Sequence, residues 1–436
     1  MGLKVNILAN YLGTAAVALA PLLALPWYLA ALGPRQFGLV AFVTMLQALM
    51  GTVDAGTNQA LVREFAARLH ATDGGRREAG LVLWGFERLY WVSAAAAGAI
   101  VMLLSKPIAS QWLVLDALPL STGIAAVCGA GALFAAQFPG SVYRSLLVGA
   151  QAQVQLNAVM LAGALVRHVG GVWVMHLWPG VTTYLAWQVG AALLETLVRR
   201  RLAWHTTGIH RRGLQWDSAR MRALWKAVAS LTGAAWLGAL TVQMDRVILS
   251  KMVSVQQFGY YTIAASLAIG ALQLVYPLIQ AVTPRAVRLR DDPAGLRRLC
   301  MRLTGMFAAG VGVGALLFAA VGERLLTFWV RDAAATVIHP VLSVLLVGTA
   351  LNALYNVGYL HWLVVDKVDR LLKVNLAALL LSIAIIPPLV LRFGIVGAAF
   401  GWLAINLIGF VVSLEWLKLG QSGRQPLVRR GARTER

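Results

Sequence analysis

Acidic side chains are scarce in this chain: 17 Asp and Glu stand against 38 Lys and Arg in 436 residues. Charged residues together make up 13 %, where a soluble protein carries roughly a quarter. Cysteine is nearly absent. Cys128 and Cys300 have no His or acidic neighbour at ligand spacing, so neither a disulfide framework nor a metal site is expected. The alternating ~10-residue segments of a transmembrane β-barrel are missing. So are a Walker sequence and any nucleophile–base arrangement, which removes the case for an ATPase, and no cofactor is expected. Gly310, Gly312 and Gly314 form a glycine-rich run inside an apolar helix, which reads as close helix packing and not as a nucleotide loop.

What the chain has in abundance is apolar sequence. Hydrophobic residues reach 59 % and mean hydropathy is +0.72. They come in blocks of roughly 20 residues, the length of a helix crossing about 30 Å of hydrocarbon. The fold class that follows is an all-α polytopic membrane protein of about 12 helices. Spans are expected at 10–32, 37–58, 80–104, 118–140, 154–177, 179–198, 224–250, 258–282, 303–326, 337–361, 374–391 and 395–417. The first run, Asn10 to Leu32, is too long for a signal-peptide core and reads as a retained span. No outer loop is long enough to build an extramembrane domain; the longest runs from about Ser105 to Ala117.

The net charge of +21 suggests nucleic acid until its distribution is examined. With the N-terminus inside, about 29 of the Lys and Arg fall on the cytoplasmic side and about six outside. That asymmetry is the positive-inside rule, so no nucleic-acid partner is needed. It places both termini in the cytoplasm. The most basic interval, Arg199 to Arg222, is also the longest loop, and an amphipathic surface helix over 215–226 would suit anionic lipid.

The chain repeats itself. Leu32-Gly33-Pro34-Arg35-Gln36-Phe37-Gly38-Leu39 is a polar turn between two apolar runs, and its Gln36-Phe37-Gly38 recurs as Gln257-Phe258-Gly259, 221 residues on. Gln59-Ala60 recurs as Gln280-Ala281, Asn157 as Asn375 and Trp187 as Trp402, at similar offsets and in the same order. Six spans per repeat is an even number, so the repeats run parallel, related by an axis along the membrane normal. The expected domains are a lobe over 1–202, a basic cytoplasmic linker over 203–222, a second lobe over 223–417 and a basic tail over 418–436. A central cavity at their seam is the expected substrate path.

Candidate site residues follow from depth. Arg167, beside His168 near the middle of span five, is a cation whose insertion costs roughly 2.5–3.5 kcal/mol, so it faces a polar cavity or a partner. Two readings stand: an ion pair that only packs helices, or a cation lining the cavity. Arg88 is shallower and can snorkel to the interface, with Glu87 as its partner or as a protonation site. Gln243, Asp245 and Arg246 lie in the outer third of span seven; Asp245 and Arg246 point about 100° apart and cannot share one helix face. Asp54 and Asn58 form a polar stripe at the inner mouth, as Asn352 and Asn356 do in span ten; such stripes often serve interhelical hydrogen bonds.

Several of these stretches resemble a known family. Asn10, the Leu-Gly-x-x-x-Phe-Gly turn from Leu32 to Gly38, the Asp-x-Gly-x-x-x-Ala-x-x-Arg run of Asp54, Gly56, Ala60 and Arg63, and the stretch Gln243 to Tyr261 carry the likeness. Together they are similar to the polysaccharide transporters (Wzx-like oligosaccharide flippases), a branch of the superfamily that also holds the multidrug-and-toxin extruders. These motifs are turns and helix ends, informative about family and poor guides to substrate. The resemblance implies two six-helix lobes working by alternating access in a bacterial inner membrane. The implied cargo is an oligosaccharide on an undecaprenyl diphosphate carrier, with a polymerase and glycosyltransferases of the same pathway as implied partners. Arg suits a diphosphate because it offers planar, paired donors. Moving about two negative charges outward against ~100 mV, inside negative, is favourable by roughly 4–5 kcal/mol. Two alternatives remain: a cation-coupled drug extruder, which needs a buried acidic pair, and a membrane glycosyltransferase or polymerase, which needs carboxylates on an outer loop.

Overall fold

The structure is a computed structural model and describes residues 3–69, 71, 74–209, 222, 240–273 and 275–419. Among these residues every regular element is a helix, apart from one isolated bridge between Val114 and Ser254. In chain order the main helices are α1 (Leu3–Gly51), α2 (Ala55–Leu69), α3 (Gly75–Leu103), α4 (Leu120–Gln137) and α5 (Gly140–Gly149). Then come α6 (Gln153–Leu165), α7 (Gly171–Leu177), α8 (Val181–Thr207) and α9 (residues 240–252). The chain continues with α10 (Val255–Leu272), α11 (Val275–Arg288), α12 (Pro293–Val330), α13 (Asp332–Val364), α14 (Val368–Phe393) and α15 (Ile395–Ser413).

Nine helices among the described residues are long and apolar enough to cross a bilayer. This is a multi-pass membrane protein. The sequence expectation departs from that count at α1, α8 and the seventh span. α1 contains a break at Gly33 (φ 69°, ψ 165°), where the expected turn lies; only glycine adopts that conformation without cost, and Pro34 starts the next helical segment. α8 is long enough to span but carries Glu195 and Arg199-Arg200-Arg201. The seventh span, expected at 224–250, lies outside the described residues before position 240, as do 210–221 of the linker and 420–436 of the tail. The surface helix expected over 215–226 is outside them except for Arg222.

Two boundaries differ from expectation. α8 runs to Thr207, so residues 203–207 belong to a helix and not to a linker. α12 extends well beyond 303–326 because Asp292 accepts a hydrogen bond from the Gly295 N–H and Pro293 occupies the first turn, a good helix start. The glycines Gly310, Gly312 and Gly314 on α12 are exposed, with no atom near enough to meet an added Cβ. The expected close packing at that run is therefore not formed among the described residues; the run lies among the exposed Val313, Leu316 and Leu317.

The core shows how the halves are joined. At the short-loop end one continuous cluster draws on both halves, with Leu32, Leu39, Leu113 and Val181 packed with Val255, Phe258, Ile338 and Ala398. At the basic end the core divides. Leu61, Phe65, Leu83 and Tyr143 form a cluster in the first half, while Leu296, Cys300, Leu360 and Trp416 form a separate one in the second. The halves are thus fused at one end and parted at the other.

The repeated turns lie at the fused end and touch. A Cβ on Gly38 would overlap the Val255 carbonyl, and one on Gly259 would stand 3.0 Å from the Gly38 Cα, so the two Gln-Phe-Gly segments cross backbone to backbone. The loop after α3 straps across the same end. The Val255 N–H donates to the Val114 carbonyl (2.9 Å), and the Trp112 indole donates to Ser250 (2.9 Å).

Candidate functional site

A cavity of about 280 Å³ holds Arg167. Among the described residues its walls include Gln47 and Gly51 on α1, Asp54 just after it, Gln137 on α4, Ser141 and Arg144 on α5, and Glu195, Thr196 and Arg199 on α8. The seam between halves expected from the sequence includes residues 223–239, which lie outside the described residues.

Local backbone aims Arg167. Residues Val166–Gly170 form one π-helical turn between α6 and α7, a widening often found at functional sites. Such a turn shifts the i→i−4 ladder and frees carbonyls, which must find other donors in an apolar span. Here they do. The Trp187 indole donates to the Val166 carbonyl (3.0 Å), and the Tyr28 hydroxyl lies 3.2 Å from the carbonyls of both Arg167 and His168. Gln188 adds a longer bond to the Arg167 carbonyl (3.4 Å). The turn is braced by side chains of α1 and α8.

Glu195 organises the charge. Its carboxylate accepts from the Arg167 guanidinium at 2.6 Å on one oxygen and from Arg199, one turn further along α8, on the other. The side chain of Glu195 is only 8 % exposed, whereas Arg167 keeps 22 %. Both sequence readings of Arg167 are thus realised together: it is paired across helices and it lines a cavity. Three guanidiniums (Arg144, Arg167 and Arg199) face two carboxylates, leaving one positive charge in excess when both acids are ionised.

Asp54 takes the other wall. It accepts from the Tyr90 hydroxyl and from the Asn58 amide (2.6 Å), and the Asn58 carbonyl oxygen accepts from Ser145 (2.6 Å). The polar stripe of span two therefore ties the start of α2 to α3 and α5 while one carboxylate faces the cavity.

The remaining candidates lie elsewhere. Arg88 is exposed on α3 with its guanidinium 3.9 Å above the Trp84 ring, away from the cavity. Glu87 is not its partner; Glu87 is buried against Tyr143, Arg200 and Trp204. Asp245 and Arg246 are both buried in the second half. Asp245 accepts from the Tyr261 hydroxyl (2.5 Å) and the Arg246 backbone N–H (2.7 Å), and among the described residues the Arg246 guanidinium donates to Gln243 (3.3 Å). Asn352 and Asn356 bond to Asn406 and to each other, bridging α13 and α15. None of these second-half residues lines the Arg167 cavity. Sequence reasoning passed over Glu195 and Arg199, although an i, i+4 acid–base pair at the basic end of an apolar run is visible in the chain.

Comparison with known proteins decides the family. Residues 31–328 match the model of a family described as polysaccharide biosynthesis protein. The chain belongs to that family. No curated protein sequence matches it. Solved structures share its fold over nearly the whole chain at low identity. An inward-facing multidrug resistance MATE transporter of the MOP superfamily has TM-score 0.71 and 14 % identity, covering 96 % of this chain and 100 % of its own. The lipid II flippase MurJ, in an inward closed conformation, has TM-score 0.67 and 11 % identity over 95 % and 87 %. An outward-facing MATE transporter has TM-score 0.58 and 16 % identity over 94 % and 93 %. These relatives are transporters and flippases, not enzymes.

Proposed function

We propose that this protein is an alternating-access flippase that carries an undecaprenyl-diphosphate-linked oligosaccharide across the bacterial inner membrane for surface polysaccharide assembly. The observation that carries the reading is the Arg167 cavity, where three guanidiniums outnumber two carboxylates inside an apolar bundle. Such a site attracts an anion and offers paired donors to phosphate oxygens, as a diphosphate head requires. The lipid tail stays in the bilayer. The basic end faces the cytoplasm with both termini, and six-helix lobes over 1–202 and 223–417 rock about the shared core at the other end. Membrane lipids and the polymerase and glycosyltransferases of the same pathway are its partners.

Two further observations support it. The halves are fused at the short-loop end and parted at the basic end, the arrangement a carrier needs to load from the cytoplasm. The fold also lies nearer the inward-facing transporter than the outward-facing one, at TM-scores of 0.71 and 0.58.

The test is export of surface polymer in cells that depend on this chain. Arg167→Ala should abolish export while its level in the membrane stays unchanged; normal export would remove Arg167 from the site. One observation favours a second reading: Asp54 and Glu195 line the same cavity, the acid pair that a cation-coupled extruder would use. That reading predicts cation-dependent efflux of a lipophilic cationic dye from proteoliposomes, and no effect of a prenyl diphosphate.

A further inference from the structure

Glu195 sits in an unusual position for a residue whose only task is packing. One carboxylate holds two guanidiniums that approach from different elements, one per oxygen, at the wall of the cavity. Its carboxyl group is seated against α6 where Gly163 leaves space: a Cβ there would fall 2.8 Å from both the carboxyl carbon and an oxygen. Arg144, on the same cavity, donates no hydrogen bond and makes no ion pair among the described residues. The Nε groups of Arg167 and Arg199 are buried and lack hydrogen-bond partners. The guanidinium cluster is therefore under-supplied with anion, and a single carboxylate bridges two of its members.

We propose that Glu195 is an internal stand-in for the anionic head of the cargo. In the empty carrier it keeps Arg167 and Arg199 from repelling each other and holds them in register. An arriving diphosphate, with more oxygens and more charge, takes the two guanidiniums from it. When the cargo leaves, Glu195 takes them back, so release does not require two bare cations in an apolar bundle. Glu195 thereby sets how tightly the head is held and how readily it is let go. This rests on the flippase reading, since it assumes that the head group reaches Arg167.

The experiment measures calorimetric binding of farnesyl diphosphate, a short prenyl diphosphate, to the purified full-length protein in detergent. Wild type should bind with an affinity that Arg167→Ala abolishes. Glu195→Gln removes the competing charge and should tighten binding about tenfold, while polymer export in cells falls because release slows. Affinity unchanged or weakened in Glu195→Gln would overturn the stand-in role while leaving the head-group site intact. No binding to wild type or to any variant would overturn the flippase reading of the cavity together with this inference.

Should Glu195→Gln fail to fold, Gly163→Ala decides. Its added methyl displaces the Glu195 carboxylate without changing any charge, and binding should tighten severalfold; an unchanged affinity in the folded Gly163→Ala protein would overturn the stand-in role.

Discussion

Two intramembrane clusters in this protein are built from the same residue types and sit in different surroundings. In the first half Arg167, Glu195 and Arg199 meet at the wall of a cavity. In the second half Gln243, Asp245 and Arg246 meet Tyr261 outside the lining of that cavity, and Asp245 and Arg246 are 7 % and 6 % exposed. The difference lies in the backbone. A π turn lets Arg167 stay partly open, while α9 continues regularly and packs its charges against α10. A charge deep in a membrane helix marks an expensive position; whether it is a site depends on the room beside it.

Mutations can break that comparison. Arg167→Ala should reduce polymer export to background with membrane protein level intact, because Arg199 still partners Glu195 and little stability is lost. Asp245→Ala should do the reverse. It strands the buried Tyr261 hydroxyl, costing about 1–3 kcal/mol, seen as a lower melting temperature and less protein in the membrane. Export per folded molecule should be near normal in that variant. If it is abolished at wild-type protein levels, the second cluster is also part of the transport path.

Smaller effects sharpen the contrast. Arg88→Ala loses a contact with the Trp84 ring worth about 0.5–1 kcal/mol at an exposed site, so export should change less than about twofold. A larger loss would return Arg88 to the candidates. Arg331 joins α12 to α13 at φ 71° and ψ 161°, almost the conformation that Gly33 adopts in α1. That region is nearly exclusive to glycine, and Arg331→Gly should stabilise the protein by about 1–2 kcal/mol, read as a raised melting temperature with export unchanged.

Much of the fold is legible in the chain. Apolar runs of helical length, the basic asymmetry and the repeated Gln-Phe-Gly turn are local or periodic features, and the twin turns meet at Gly38 and Gly259. Depth alone singles out Arg167. Arg88 shows the limit of that criterion, because a charge one or two turns from the interface can turn outward as easily as inward. Glu195 and Arg199 show the opposite limit. In the sequence they look like ordinary boundary charges at the end of span six, and only the approach of α6 to α8 at Gly163 pairs Glu195 with Arg167 and brings Arg199 to the same carboxylate.

Hydrophobicity and its period along the chain therefore determine that this is a duplicated helical membrane protein with its positive charge gathered at one end. Those properties follow from each residue's own preference for water or lipid, which needs no knowledge of neighbours. The tertiary structure alone decided which of the described charges share a cavity. A π turn and an ion pair 28 residues apart depend on how helices approach one another, and that is fixed by packing between distant segments, not by any one of them.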